Sequence, residues 1–223
     1  MLYVVATPIG NLEDMTFRGV RTLRESEIIY AEDTRVTKKL LTHYDIATPL
    51  ARYDEFSKAR QIPVILARLR EGKQVSLVTD AGTPCISDPG YELVDAALKE
   101  GIKVVPVPGP SALTAAASAA GISLRRFAFE GFLPKKKGRQ TLFKALAAES
   151  RPVVLYESPY RVERTLGDIL QWLGDRNVVL AREITKIYEE FFRGSVSEAL
   201  AHVAAHPPKG EFVILIGEEA PCP

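Results

Sequence analysis

Short runs of apolar and β-branched residues alternate along this chain with longer amphipathic segments, and this alternation constrains the fold most. The runs are LYVVAT, EIIYAE, QVSLVT, IKVVPV, RRFAFEG, PVVLYES, NVVLARE, EEFFRGSV and EFVILIG. Each run favours a strand, whereas apolar residues at helical spacing favour a helix in the segments between them. Strands that alternate with helices indicate parallel sheets built from β-α units. The sequence therefore predicts an α/β protein.

The amphipathic segments predict eight helices. They lie at Thr16–Ser26, Thr34–His43, Lys58–Glu71, Tyr91–Glu100, Ser111–Ala120, Arg139–Glu149, Arg161–Leu173 and Ser197–Ala205. The first half is a nearly regular β-α series, which predicts a mostly parallel sheet with helices on both faces. In the second half EEFFRGSV follows NVVLARE with little helix between them, which predicts a mixed sheet. Gly121 ends an alanine-rich helix, so we expect domains at residues 1–118 and 122–223.

Charge and composition limit the classes of partner, metal site and compartment. With 29 basic and 28 acidic side chains in 223 residues, the chain has no global positive field, so a polyanion must bind to a local patch. Cys85 and Cys222 are too few for a disulfide framework and too far apart for a zinc motif, which suggests a reducing cytosol. His43, His202 and His206 lack metal-ligand spacing, so no metal is expected. No basic leader and no apolar stretch of about 18 residues occurs, which predicts a cytoplasmic protein that is neither exported nor membrane-embedded.

Four loops follow the first four predicted strands, and all are rich in Gly, Pro or short polar residues. They read PIGNLED, EDTR, TDAGTPCISDPG and PGPSA. Because ligands of open α/β sheets bind at the carboxyl ends of strands, these loops are expected to share one site. Gly82 has no Cβ to keep a ligand away, and Pro110 and Ser111 open a helix whose N-terminal amides favour a carboxylate. The alternative is that Asp80, Asp88 and Ser111 only cap turns.

Eight motifs in order resemble the family of ribosomal RNA small subunit methyltransferase I, within the tetrapyrrole methylase superfamily. They are VVATPIGNLEDMTFRGVRTL, YAEDTRVTKKLLTHY, LVTDAGTPCISDPGYELV, VVPVPGPSALTAA, FEGFLPKKKGRQ, LYESPYRV, AREITKIYEEFFRGSV and KGEFVILIG. Together they span almost the whole chain, which is far more specific than a lone glycine signature.

The resemblance implies two tetrapyrrole methylase-like α/β domains with a ligand cleft between them, in a homodimer. It implies S-adenosylmethionine as cofactor and S-adenosylhomocysteine as product. The implied reaction is 2′-O-methylation of a cytidine in the decoding region of 16S ribosomal RNA, as free RNA or in the small ribosomal subunit. Family members commonly continue past the EFVILIG strand into a small helical domain thought to help bind RNA, whereas this sequence ends at EEAPCP.

The resemblance also implies a set of cofactor-binding residues, taken position by position from the matching motifs. They are Pro8, Gly10, Asp80, Ala81, Gly82, Thr83, Ile86, Ser87, Ser111, Ala112, Tyr156 and Glu157.

The implied reaction needs candidates for proton removal. Methyl transfer from a sulfonium mainly requires alignment, but a ribose hydroxyl is a poor nucleophile and needs a base or a cation near it. Asp33 is the candidate base and Arg35 the candidate phosphate ligand, although Asp33 can instead be only the N-cap of the next helix. Lys186 can take the proton if burial lowers its pKa, or hold a phosphate. Its alternative is a surface ion pair with Glu189 or Glu190.

A basic cluster just after the RRFAFEG run is the candidate RNA-binding site. Its residues are Lys135, Lys136, Lys137 and Arg139. Counterion release by such a cluster supplies sequence-independent affinity that falls steeply with salt. Phe132, placed in a loop, is the candidate for stacking on a splayed-out base. The alternative is that the cluster is only the solvated start of a helix.

Two rival functions stay open. One keeps the cofactor and changes the acceptor to a tetrapyrrole carbon or a protein side chain; the other is a non-catalytic RNA-binding or cofactor-sensing protein. The FLPKKKGR loop argues against a tetrapyrrole, because a single anionic ring does not require such a cationic strip.

Overall fold

The computed structural model describes residues 1–217, so Cys222 lies outside the described residues. The chain divides into two compact units, Met1–Ser111 and Ala112–Pro223, each with its own five-stranded sheet. Within residues 1–217 no helix combines the length and the apolar character needed to cross a membrane. The predicted class, two α/β sheets with the first parallel and the second mixed, is confirmed.

The first unit is a parallel sheet flanked by four helices. Its strands are β1 (Leu2–Val5), β2 (Ile28–Ala31), β3 (Leu50–Arg52), β4 (Val75–Val78) and β5 (Val104–Val107). Its helices are α1 (Phe17–Glu25), α2 (Thr34–His43), α3 (Lys58–Arg70) and α4 (Tyr91–Lys99), with a 3-10 turn at Leu12–Asp14. All strand pairs are parallel, in the order β3-β2-β4-β1-β5.

Both faces of this sheet are covered, because neighbouring side chains on a strand point to opposite sides. On β2, Ile29 belongs to a buried cluster that includes Leu41 of α2. The next residue, Tyr30, belongs to a second cluster that includes Ile65 of α3 and Leu93 of α4. The expected helices on both faces are therefore present.

The edge strand β3 is not predicted from the sequence. It has only three residues, which is too short for an alternating pattern to be recognised. Its pairing with β2, from Ile29–Leu50 to Ala31–Arg52, is what defines it as a strand.

The second unit is a mixed sheet with four helices. Its strands are β6 (Ala128–Phe132), β7 (Val153–Glu157), β8 (Asn177–Arg182), β9 (Glu190–Ser195) and β10 (Phe212–Ile216). Its helices are α5 (Ala112–Ala119), α6 (Arg139–Ala147), α7 (Val162–Leu173) and α8 (Val196–Ala205). The order is β6-β7-β10-β8-β9, and only β6 and β7 are parallel. Helix α5 contacts β10 and so groups with this unit, whereas the sequence places it in the first domain.

Candidate functional site

Hydrogen bonds connect three of the four loops into one surface at the carboxyl ends of neighbouring strands. Thr7, after β1, and Gly82, after β4, exchange backbone hydrogen bonds, with N to O distances of 2.8 and 3.0 Å. The hydroxyl of Thr83 donates to the carbonyl oxygen of Pro110, after β5, at 3.2 Å. The loops that the sequence assigns to a common site therefore meet in the first unit.

Two glycines let these loops approach each other closely. Gly82 is buried at φ +87°, a conformation that side chains with a Cβ rarely adopt. A Cβ on Gly109 would lie 3.0 Å from the Cβ of Ala6, closer than such atoms normally pack. The surface is thus built from backbone that only glycine permits, and it can approach a ligand without interposed side chains.

The predicted cofactor residues of this unit lie on or beside these loops. Gly10, Ala81, Ile86 and Ser87 are exposed, Asp80, Thr83 and Ser111 are half-buried, and Pro8 and Gly82 are buried. The exposed members present peptide groups and uncharged side chains to solvent.

The loop after β2 joins this surface through carboxylates. The backbone N of Asp33 donates to Oδ1 of Asp80 at 2.9 Å, and the Thr79 hydroxyl donates to Oε2 of Glu32 at 3.3 Å. Burial, and then the charges of Asp80 and Asp88, raise the pKa of Glu32. Burial likewise raises the pKa of Asp80 and of Asp88. Glu32, which the sequence does not single out, is thus a partly buried carboxylate with enhanced basicity.

Asp33 is a poor base in this geometry. Its carboxylate accepts from the side chain and the backbone N of Arg35, and these hydrogen bonds hold its pKa well below the usual range. The alternative that Asp33 caps α2 is confirmed. Because Arg35 is bound to this carboxylate at 2.5 Å while its side chain stays 87% exposed, the pair presents a fixed guanidinium to solvent.

Lys186 is held as a cation. Partial burial acts to lower its pKa, but hydrogen bonds to Glu183 at 2.8 Å and Glu211 at 3.0 Å outweigh burial and raise the pKa. The lowered pKa required of a lysine base is therefore not found. Its ion pairs are made with Glu183 and Glu211 instead of Glu189 or Glu190; the carboxylate of Glu189 accepts from the backbone N of Thr185.

In the second unit, Tyr156 and Glu157 end β7. The Tyr156 hydroxyl oxygen accepts from the backbone N of Leu113, in the first turn of α5, at 3.2 Å. Glu157 is 1% exposed, and its carboxylate is already bound by Ser158, Arg161 and Thr165 at 2.7 Å each. Only the backbone of Glu157 is left for the predicted cofactor contact.

The basic cluster separates into exposed and buried members. Lys135, Lys136 and Lys137 are exposed, whereas Arg139 is 4% exposed. Its guanidinium bonds Asp168 at 2.7 Å and the Thr165 hydroxyl at 2.9 Å. This geometry argues against a phosphate contact by Arg139, and no sequence signal distinguishes it from its neighbours.

Phe132 is the last residue of β6 and does not lie in a loop. Its side chain remains 56% exposed, and its ring centroid lies 5.6 Å from that of Tyr156. It is therefore placed where an unstacked base can reach it.

Residues 1–217 contain no group of three or more His, Cys, Asp and Glu side chains arranged to hold a metal ion.

Comparison with known proteins gives consistent matches. A model of the Tetrapyrrole (Corrin/Porphyrin) Methylases matches residues 1–200. A Thermotoga maritima protein named ribosomal RNA small subunit methyltransferase I is 52% identical, covering 98% of this chain and 99% of its own length. A protein of the same name from Halalkalibacterium halodurans is 50% identical, covering 96% of this chain and 75% of its own length.

Solved structures show the same fold at low identity. A cobalt precorrin-4 methyltransferase aligns with a TM-score of 0.72 at 21% identity, covering 97% of this chain and 94% of its own. A diphthine synthase aligns with a TM-score of 0.74 at 14% identity, covering 97% and 89%. At these identities the structures establish the fold alone.

Proposed function

The chain belongs to the tetrapyrrole methylase family, and from that premise we propose that it transfers a methyl group from S-adenosylmethionine to ribosomal RNA of the small subunit. The proposed acceptor atom is the 2′-oxygen of a cytidine ribose in 16S RNA. The shared name of the relatives supports the RNA acceptor, since their identity extends over nearly all of this chain. We also propose that the protein acts in the cytosol as a homodimer.

The observation that carries the proposal is the linked loop surface of the first unit. The Thr7–Gly82 and Thr83–Pro110 bonds hold three loops at the carboxyl ends of the strands, where ligands of open α/β sheets bind. Gly82 is buried and bound to Thr7 through both its N and its O, and its positive φ gives this loop a course that a residue with a Cβ rarely adopts. This backbone surface fits a metabolite with an amino-acid moiety, and in the second unit Tyr156 and the backbone of Glu157 are the proposed further contacts.

Glu32 is the base that we propose for the reaction. When bound, S-adenosylmethionine supplies an electrophilic methyl group on a sulfonium whose leaving group needs no protonation. Glu32 would accept the proton of the ribose hydroxyl, so that this oxygen could bond to the methyl carbon while sulfur kept the electron pair of the carbon–sulfur bond being broken. Its raised pKa makes Glu32 a stronger base than Asp33, whose pKa is lowered.

Arg35 and Lys186 keep proposed roles as cations, and Asp33 has the role of positioning Arg35. The Asp33–Arg35 pair offers a planar guanidinium suited to a phosphate. Lys186 stays protonated because its pKa is raised, so it can stabilise a phosphate or a developing alkoxide but not remove a proton.

The test is a transfer assay with methyl-labelled S-adenosylmethionine. Purified protein is incubated with small subunits that lack the modification, with free 16S RNA, and with a reduced tetrapyrrole. We expect label in RNA, and nuclease digestion should recover it on the ribose of one cytidine. Label only on the tetrapyrrole, on a base or on ribosomal protein would contradict the proposed acceptor.

Gly82→Ala should weaken binding of S-adenosylmethionine at least about tenfold, because a side chain at positive φ costs roughly 1–2 kcal/mol and shifts the loop backbone. Gly72→Ala is the matched control, since Gly72 has φ +81° but nothing within 4 Å of the added Cβ. Calorimetric titration compares the two variants. Equal affinities for both, with Gly82→Ala folded, would remove this loop from the cofactor site.

A further inference from the structure

An open groove of about 410 Å³ lies on the second unit between α6 and α7, and we call it the α6–α7 groove. Along α7 its lining residues are Arg164, Asp168, Gln171 and Trp172. This spacing places them on one face of the helix. Opposite them are residues of the basic cluster and of the first turn of α6, including Lys136 and Gln140.

The groove carries positive charge that the fold does not neutralise. Asp168 is the one carboxylate among the residues that line the groove, and the buried Arg139 binds it at 2.7 Å. Among residues 1–217 no carboxylate pairs with Lys136 or Arg164, although Arg139 and Arg161 nearby both have such partners. The guanidinium of Arg164 only approaches the carbonyl oxygen of Lys135, at 3.5 Å. These exposed cations are therefore not required by the fold and are free to bind an anion.

A buried network fixes the two sides of the groove to each other. Arg139 bonds Thr165 of α7 at 2.9 Å and the carbonyl oxygen of Pro134, just before the lysines, at 3.2 Å. Thr165 in turn donates to Glu157 at 2.7 Å. The segment that carries Lys136 is thus held against α7 before any ligand arrives, which lowers the entropic cost of binding.

The groove also offers groups that suit a base. Trp172 is half-buried, with the ammonium of Lys144 6.0 Å from its ring centroid. The side chains of Gln140 and Gln171 are exposed, and each amide can both donate and accept a hydrogen bond. An aromatic ring stacks on a base only when that base is unstacked from its neighbours, as in single-stranded RNA, and the polar groups can then bond the edges of the base.

We propose that the α6–α7 groove binds a single-stranded segment of the acceptor RNA. Lys136 and Arg164 contact its phosphates, and Trp172 contacts an unstacked base. The inference rests on the proposed function and adds a second point of attachment for the same substrate.

The test measures affinity for a fluorescently labelled single-stranded RNA, with the sequence around the methylated cytidine, across a range of salt. The double variant Lys136→Gln with Arg164→Gln should bind about tenfold more weakly, and the slope of log K against log salt should fall by about 1.4, or 0.7 for each lost phosphate contact. Trp172→Leu should also lose about tenfold, with the salt slope unchanged. Affinity for S-adenosylmethionine should stay at the wild-type value in both.

The matched control removes two exposed cations from the first unit, Arg60→Gln with Lys103→Gln. Wild-type affinity and slope in the groove variants, with methyl transfer by the wild-type protein intact, would overturn the inference and leave the proposed function standing. Equal losses in the control and in the groove variants would also overturn it, in favour of a diffuse charge effect. Absence of methyl transfer to any RNA by the wild-type protein would instead contradict the proposed function itself.

Discussion

Replacing Glu32 by Gln is expected to slow methyl transfer by about 10²–10⁴-fold in a single turnover, the usual contribution of a general base. Glutamine keeps the size of the side chain and can still accept from Thr79 but cannot take the proton. The wild-type rate should rise with pH as Glu32 loses its proton. Because burial, Asp80 and Asp88 raise the pKa of Glu32, this rise should lie at higher pH than for an ordinary glutamate.

Glu25→Gln is the matched control for this prediction. Glu25 is exposed at the end of α1, which precedes β2, whereas Glu32 follows the carboxyl end of β2. The control should keep the wild-type rate and pH profile. A Glu32→Gln enzyme that retains both would exclude Glu32 as the base; Asp33→Asn would then be the next variant to assay.

Arg139→Met is expected to lower the free energy of unfolding of the second unit by about 3 kcal/mol. Removing one partner of a buried ion pair leaves the other charge without compensation, and here Asp168 is 24% exposed, which favours the lower end of the range. Urea denaturation followed by fluorescence measures this unit directly, because the single tryptophan of the chain, Trp172, lies in α7.

Two further variants test the reason for that loss. Lys136→Met should change stability by less than about 0.5 kcal/mol, as expected of an exposed side chain. Adding Asp168→Leu to Arg139→Met should recover much of the lost stability, since no unpaired charge remains. If Arg139→Met kept its stability and lost RNA affinity as the double variant Lys136→Gln with Arg164→Gln does, Arg139 would be a phosphate ligand, as the sequence alone predicts.

The sequence predicts the helices well because their apolar periodicity is strong. Helix α2 has the predicted bounds, Thr34–His43, and the other helix bounds shift by no more than two residues at either end. The end of the first domain is harder to place. Helix α5 is rich in alanine and has no clear division into apolar and polar faces, so its sequence does not reveal that it contacts β10.

The residues of the candidate site also differ in this respect: some are recognisable from the local sequence, and others depend on contacts between distant parts of the chain. Three of the four loops are visible in the sequence because glycine and proline mark them, and the fourth, EDTR, is visible as a run of polar residues after an apolar strand. Glu32 cannot be recognised as a site residue from the sequence, because its environment depends on β2 lying beside β4, which brings Thr79 and Asp80 next to it. Arg139 is likewise indistinguishable from Lys136 until the fold turns its side chain toward Asp168.

Hydrogen–deuterium exchange with and without S-adenosylmethionine tests the central claim most directly. We expect the cofactor to slow amide exchange in peptides covering Thr7–Asp14, Thr79–Gly90 and Pro108–Ala112, while peptides of α3 are unaffected. Unchanged exchange in those three loops at saturating cofactor, or protection confined to other segments, would contradict the account.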